Sequence, residues 1–263
     1  MPFAALVKLG RPAMVAGLAL AFALAATGCV KFKQAWSVNP DGSGKMTMTF
    51  GINEQMLGQF GGQDPFADLD DPSDMIDQED NGWVAFTAPQ ITTENGYKSA
   101  SFTGYFEDIN QVTFSGDGGN GEMVDTTYAL AEGKLTVTNA MLGQVVASVS
   151  NDPQMQDPQT KAFMAVMMEG LEMAESYRLP GAVTDAEGYD ADGQTASTTI
   201  TAADILGDEP PKIAGLDDGQ LQITFTPAGW PAGGEAAWNT ELEAAKAEWQ
   251  AIKAAAVAPA AEQ

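Results

Sequence analysis

The sequence predicts an α+β fold: a mainly antiparallel sheet opened by an N-terminal β-hairpin, with a central Met-rich helix and a long C-terminal amphipathic helix. Three observations point there. Val30, Phe32, Trp36 and Val38 alternate with Lys31, Lys33 and Ser37, and Met46, Met48, Phe50 and Ile52 alternate with Lys45, Thr47 and Thr49. A period of two sends successive side chains to opposite faces of a strand. Between 83 and 150, short apolar runs are separated by glycine-containing turns, the pattern of antiparallel strands with one buried face. From 235 to 257, Trp238, Leu242, Ala245, Trp249, Ile252 and Ala256 follow a four-three spacing, one apolar stripe along a helix.

The elements follow in order. The first hairpin turns at Asn39-Pro40-Asp41-Gly42-Ser43-Gly44, where Asp and Gly supply the local hydrogen bonds and the positive φ of tight turns. Asn53 is an N-cap type, and Met56, Leu57 and Phe60 share one helical face, so a short helix is expected, ended by Gly58 and Gly61-Gly62. Residues 63–82 carry Asp64, Asp68, Asp70, Asp71, Asp74, Asp77, Glu79 and Asp80 and read as a solvated acidic loop with one helical turn after Pro72. Strands are predicted over 83–87, 97–106, 112–114, 123–130, 134–138 and 144–149. A helix is predicted over 158–175, with Phe163, Met164, Val166, Met167, Met168, Leu171 and Ala174 on its apolar face. A second hairpin, 177–184 with 195–201, turns between Gly188 and Gly193. Thr201 and Asp204 form a capping-box pair for a helical turn through Leu206. The last strand is 220–226, and 258–263 is an Ala/Pro tail expected to be disordered.

The N-terminus carries an address. Lys8 and Arg11 form a basic segment, Val15 to Ala26 is apolar, and Ala26-Thr27-Gly28 leads small residues up to Cys29, the sole cysteine. This resembles the lipobox of bacterial lipoproteins, which implies a signal peptide over 1–28, removed, and a Cys29 acylated with chains such as palmitate. An ordinary secretory signal and a retained transmembrane anchor are the other readings. The apolar run is short for a span and ends in Gly-Cys. Two or three acyl chains anchor stably, at about 0.8 kcal/mol per buried methylene. Val30 is not the Asp that resembles an inner-membrane retention signal, which favours an outer membrane where a cell has one. The resulting parts are an α+β envelope domain over 29–231, a C-terminal helix over 232–257, and the tail.

Charge and composition exclude several chemistries. Without residues 1–28, and so without Lys8 and Arg11, the chain keeps 10 of its 12 Lys/Arg against 36 Asp/Glu, a net charge of −26. Such a surface repels phosphate backbones, so nucleic acid is excluded as a partner. With no histidine, Ser-His-Asp and Cys-His catalysis and imidazole metal sites are absent, and an acylated Cys29 leaves no thiolate. The aspartates of 64–80 lack calcium-loop spacing, since Pro72 and Ser73 fall where ligands or the turn glycine belong. Asp190-Ala191-Asp192-Gly193 is ordinary hairpin-tip chemistry. Met164, Met167 and Met168 suit either Cu(I) thioether ligation or core filling, and their apolar neighbours favour the core. No carboxylate pair stands out. The expectation is therefore no catalytic residue, no metal and no cofactor, with Cys29 as the one modified site.

Two stretches carry a family resemblance. Cys29 through Leu57, and Tyr177-Arg178-Leu179-Pro180-Gly181-Ala182-Val183 with the hairpin that follows, resemble the LppM-like bacterial lipoproteins over about a quarter of the chain. The resemblance implies an α+β lipoprotein of the cell envelope, with lipid binding suggested for some members and no enzyme. The expected function is a membrane-anchored, non-enzymatic, acidic lipoprotein with a cavity for an apolar or lipid ligand between sheet and helices. The alternatives are a protein-interaction module acting through the C-terminal heptad helix, and a hydrolase using carboxylates. The helix is expected to dock on its own sheet and leave a monomer, because Ala245 and Ala256 suit close packing better than a coiled coil.

Overall fold

The structure is a computed structural model, and it describes residues 30–57, 66, 73–76, 78–117, 123–143, 146, 157–207 and 220–257. The fold is α+β. Its first hairpin forms as the alternation dictates: β1 (Val30–Val38) pairs antiparallel with β2 (Gly44–Asn53), Val30 opposite Ile52 and Val38 opposite Gly44. The turn is tied by Asp41, whose Oδ1 accepts from the Ser43 backbone N–H at 3.0 Å, and Gly42 takes φ 87°.

The first sheet grows from both sides of this hairpin. Beside β2 lies β5 (Tyr97–Phe106), and β3 (Trp83–Phe86) and β4 (Gln90–Glu94) pair in succession along the far side of β5. Beside β1 lies β9 (Glu172–Arg178), followed by β12 (Thr195–Thr201) and β11 (Asp190–Asp192). The second sheet runs β10 (Gly181–Ala186), β13 (Gln220–Pro227), β8 (Lys134–Thr138), β7 (Met123–Ala131) and β6 (Thr113–Asp117). Helical turns α1 (Glu54–Leu57) and α2 (Ser73–Ile76), helices α3 (Pro158–Met167) and α4 (Ala202–Leu206), and the long α5 (Gly234–Val257) complete it.

The core lies between the two sheets. Trp36 of β1 is its centre, with ring centroids 4.4 Å from Tyr128 of β7, 6.0 Å from Phe114 of β6, 5.9 Å from Trp83 and 6.1 Å from Tyr177. Gly104 is required here, because a Cβ on it would stand 2.6 Å from the Trp83 ring. Helix α5 docks on the first sheet, against β3 and β5. Trp238, Leu242, Ala245 and Trp249 are buried and Ile252 partly so, while Ala256 at the helix end stays exposed. Trp238 stacks on Tyr105 at 6.0 Å and Trp249 meets Phe86 edge-on at 5.4 Å.

Four expectations are corrected. The helix expected over 158–175 stops at Met167: Gly170 takes φ 85°, a conformation open to glycine, and Glu172 onward is strand. That strand, β9, pairs parallel with β1, so the sheet is mixed. The stretch 177–184 is two strands in two sheets. Pro180 has no N–H for a ladder, and the chain crosses at Leu179-Pro180 from β9 in the first sheet to β10 in the second. Gly181 is needed there for close approach: a Cβ on it would lie 1.7 Å from the Thr226 carbonyl oxygen. Of the strand expected over 144–149, Val146 is helical and fully buried, and the other positions lie outside the described residues. The acidic stretch 63–82 is more than a solvated loop. Phe66 and Met75 are buried, and Glu79 takes hydrogen bonds from α5. The expected helical turn after Pro72 is α2.

Candidate functional site

The two faces of β9 carry the features that packing alone does not explain. Strand alternation sends Glu172 outward and Glu175 inward. On the outward face an open cleft of about 750 Å³ lies between sheet and helices. Its floor is Lys31 of β1, Glu172 of β9, and Thr199 and Thr201 of β12; its walls are Ala165 of α3 and Ala202, Ala203 and Leu206 of α4. The small wall residues leave the space open. The α4 wall is held by Thr201 and Asp204, whose carboxylate accepts from the Thr201 backbone N–H at 2.7 Å and from its hydroxyl at 2.6 Å.

The cleft floor is charged but paired. Glu172 bridges Lys31 at 3.1 Å and Lys33 at 3.0 Å. The Lys33 hydrogen bond first, then that of Lys31, holds the Glu172 carboxyl below its usual range. Lys31 Nζ also lies 4.8 Å from the centroid of Tyr97, which lines the same cleft. Apolar walls over a floor of charges and hydroxyls suit an amphiphile, with its chain along the alanines and its head on Lys31, Glu172 and the threonines. Lys31 is two residues from Cys29, and two residues of chain span at most about 7 Å.

On the inward face, Glu175 is buried, with no cation beside it among the described residues. Its carboxyl accepts from the Tyr177 hydroxyl at 2.7 Å and from the Tyr189 hydroxyl. Burial raises its pKa above the ordinary value and outweighs the opposing tyrosine hydrogen bonds. Burial also pushes the phenols of Tyr128, Tyr177 and Tyr189 well up, with the nearby Glu175 charge adding to it. Gln34 of β1 lies opposite Glu175 in the parallel register, buried, with no partner for its Nε2 among the described residues.

Cys29 lies outside the described residues, as do most of the aspartates of 64–80. Asp190 and Asp192 are exposed on β11. Met164 packs against the core and Met168 is within it, the core role their neighbours favoured. Among the described residues no group of three or more Asp, Glu or Cys is placed to hold a metal ion. No described helix is long and apolar enough to cross a membrane. Sequence reasoning missed Gln34, Glu175 and Tyr189. The available signal was Gln34 itself, a polar residue in phase with Phe32 and Trp36 on a buried strand face.

Comparison by sequence finds no matching family model and no matching curated protein. In structure the chain is similar to the folded domain of LppM from Mycobacterium tuberculosis, solved by NMR. The two are 10% identical, the match covers 77% of this chain and 92% of that one, and the TM-score is 0.39.

Proposed function

We propose that this protein is a non-enzymatic envelope lipoprotein, acylated at Cys29, whose cleft takes up an amphiphile from the membrane that anchors it. The observation that carries the reading is the place of the cleft: its floor begins at Lys31, two residues from the acylation position. Acyl chains on Cys29 put that end of β1 against the bilayer, so a lipid enters the cleft without crossing water. Against the alternative of an interaction module stands α5, which lays its apolar stripe on the protein's own sheet. The test uses the fluorescent fatty acid cis-parinaric acid and a variant that fills the cleft. Ala165 is exposed on α3 and lines the cleft, so Ala165→Trp is expected to abolish binding while melting changes by less than about 1 kcal/mol, the helix-propensity difference. Binding that survives Ala165→Trp, or a wild-type protein that does not bind, refutes the reading.

A further inference from the structure

The cleft leaves Glu175 unexplained. A carboxyl buried away from cations is costly to ionise, and this one sits where three parts of the fold meet. Tyr177 faces it from its own strand. Tyr189 reaches it from the segment between β10 and β11, which carries the chain back from the second sheet to the first. Tyr128 faces it from β7 across the core, and Gln34 and Thr198 flank it in register on β1 and β12. Among these neighbours Tyr128, Tyr177 and Tyr189 are the titratable groups, and none is a cation. The amide of Gln34 is the second anomaly. Among the described residues its Nε2 is buried with no partner beside the buried carboxyl of Glu175, where its Oε1 can accept the proton of a neutral acid or its Nε2 can donate to an ionised one.

We propose that Glu175, flanked by Gln34 and held by Tyr177 and Tyr189, is a buried proton-binding site that couples closure of the β10–β12 segment to proton uptake. Closed, the segment is pinned by Tyr189 on a neutral carboxyl. Ionisation puts a charge in the core whose burial cost the Tyr177 and Tyr189 hydroxyls offset only in part, so the segment opens and the proton is lost with the opening. The sign follows from linkage. A carboxyl whose folded pKa is raised contributes stability that is complete below its ordinary value of 4.5 and is lost as pH rises through the raised one. The tyrosines add a like-signed loss only above their own ordinary value of 10.0.

Amide hydrogen exchange of residues 186–201 in the full protein, measured against pH, tests this. Once base catalysis of exchange is removed, the opening constant in the wild type is expected to rise above pH 4.5, by up to tenfold per pH unit for one proton. Glu175→Gln keeps the size and an acceptor but cannot titrate, and its opening constant is expected to be flat to pH 9. A flat wild-type profile, or the same slope in Glu175→Gln, overturns the proposal. Should that variant not fold, the carboxyl ¹³C shift of Glu175 in the wild type decides: a midpoint above 4.5 sustains the proposal, and one at or below 4.5 overturns it.

Discussion

Trp249→Ala measures how firmly the C-terminal helix belongs to the fold. Trp249 is wholly buried, its ring edge-on to Phe86 at 5.4 Å, and its Nε1 donates to Glu79 Oε1 at 2.6 Å. Replacing a core Trp by Ala costs about 3–5 kcal/mol through lost burial and the cavity left behind. Glu79 keeps its 2.6 Å hydrogen bond from Lys253, so no buried carboxylate is orphaned and the lower part of that range, about 3–4 kcal/mol, applies. At about 2–4 °C per kcal/mol for a chain of this size, the melting temperature is expected to fall by roughly 6–16 °C. Lys253→Ala, which removes a partly exposed ion pair and a cation set 5.7 Å from the Trp249 ring centroid but leaves the Trp249 side chain in place, is the control and is expected to cost less than about 1 kcal/mol. Thermal unfolding followed by circular dichroism, with light scattering to report oligomers, provides both numbers. A Trp249→Ala variant within about 1 kcal/mol of the wild type, or a wild-type dimer that the substitution dissolves, refutes intramolecular docking of α5 as the purpose of the stripe.

Gly181→Ala is expected to destabilise by about 3 kcal/mol or more, since the added Cβ meets the Thr226 backbone and β10 must part from β13; denaturant midpoints check it. Deleting residues 232–263 uncovers Tyr105 and Phe86 and is expected to yield aggregated or molten protein, whereas a soluble truncation with unchanged melting counts against the docking. Glu172 has the opposite pH sign to Glu175. Its folded pKa is lowered by Lys33 and Lys31, so its contribution is present above 4.5 and lost as pH falls through the lowered value. Being partly exposed it contributes at most about 1 kcal/mol, and Glu172→Gln is expected to remove that acid-side slope in pH-dependent melting curves.

Local pattern made the outer elements legible. The β1–β2 hairpin, its turn, the capping pair at Thr201 and the α5 stripe each follow from residues within one or two turns of chain, where period and turn chemistry act directly. What stayed hidden depends on distant partners. Met168, Leu171 and Ala174 continue a helical spacing past Gly170, but the parallel ladder to β1, 141 residues away from Lys31 to Glu172, outweighs it. The break at Pro180 was readable, while the change of sheet was not, because it rests on β13 lying beside β10. Both faces of the candidate site are built by that one strand. Lys31 and Glu172 meet in the cleft, and Gln34 and Glu175 in the core, only once β9 has paired with β1.

The central claim is anchoring at Cys29, with the cleft at the membrane end of β1. The intact mass of the protein extracted from cell membranes tests it most directly. The expected species begins at Cys29 and exceeds the mass of residues 29–263 by a diacylglyceryl group, with or without a third acyl chain, and Cys29→Ser abolishes both the cleavage and the added mass. A membrane-bound chain that retains residues 1–28, or one that carries an unmodified Cys29, contradicts it.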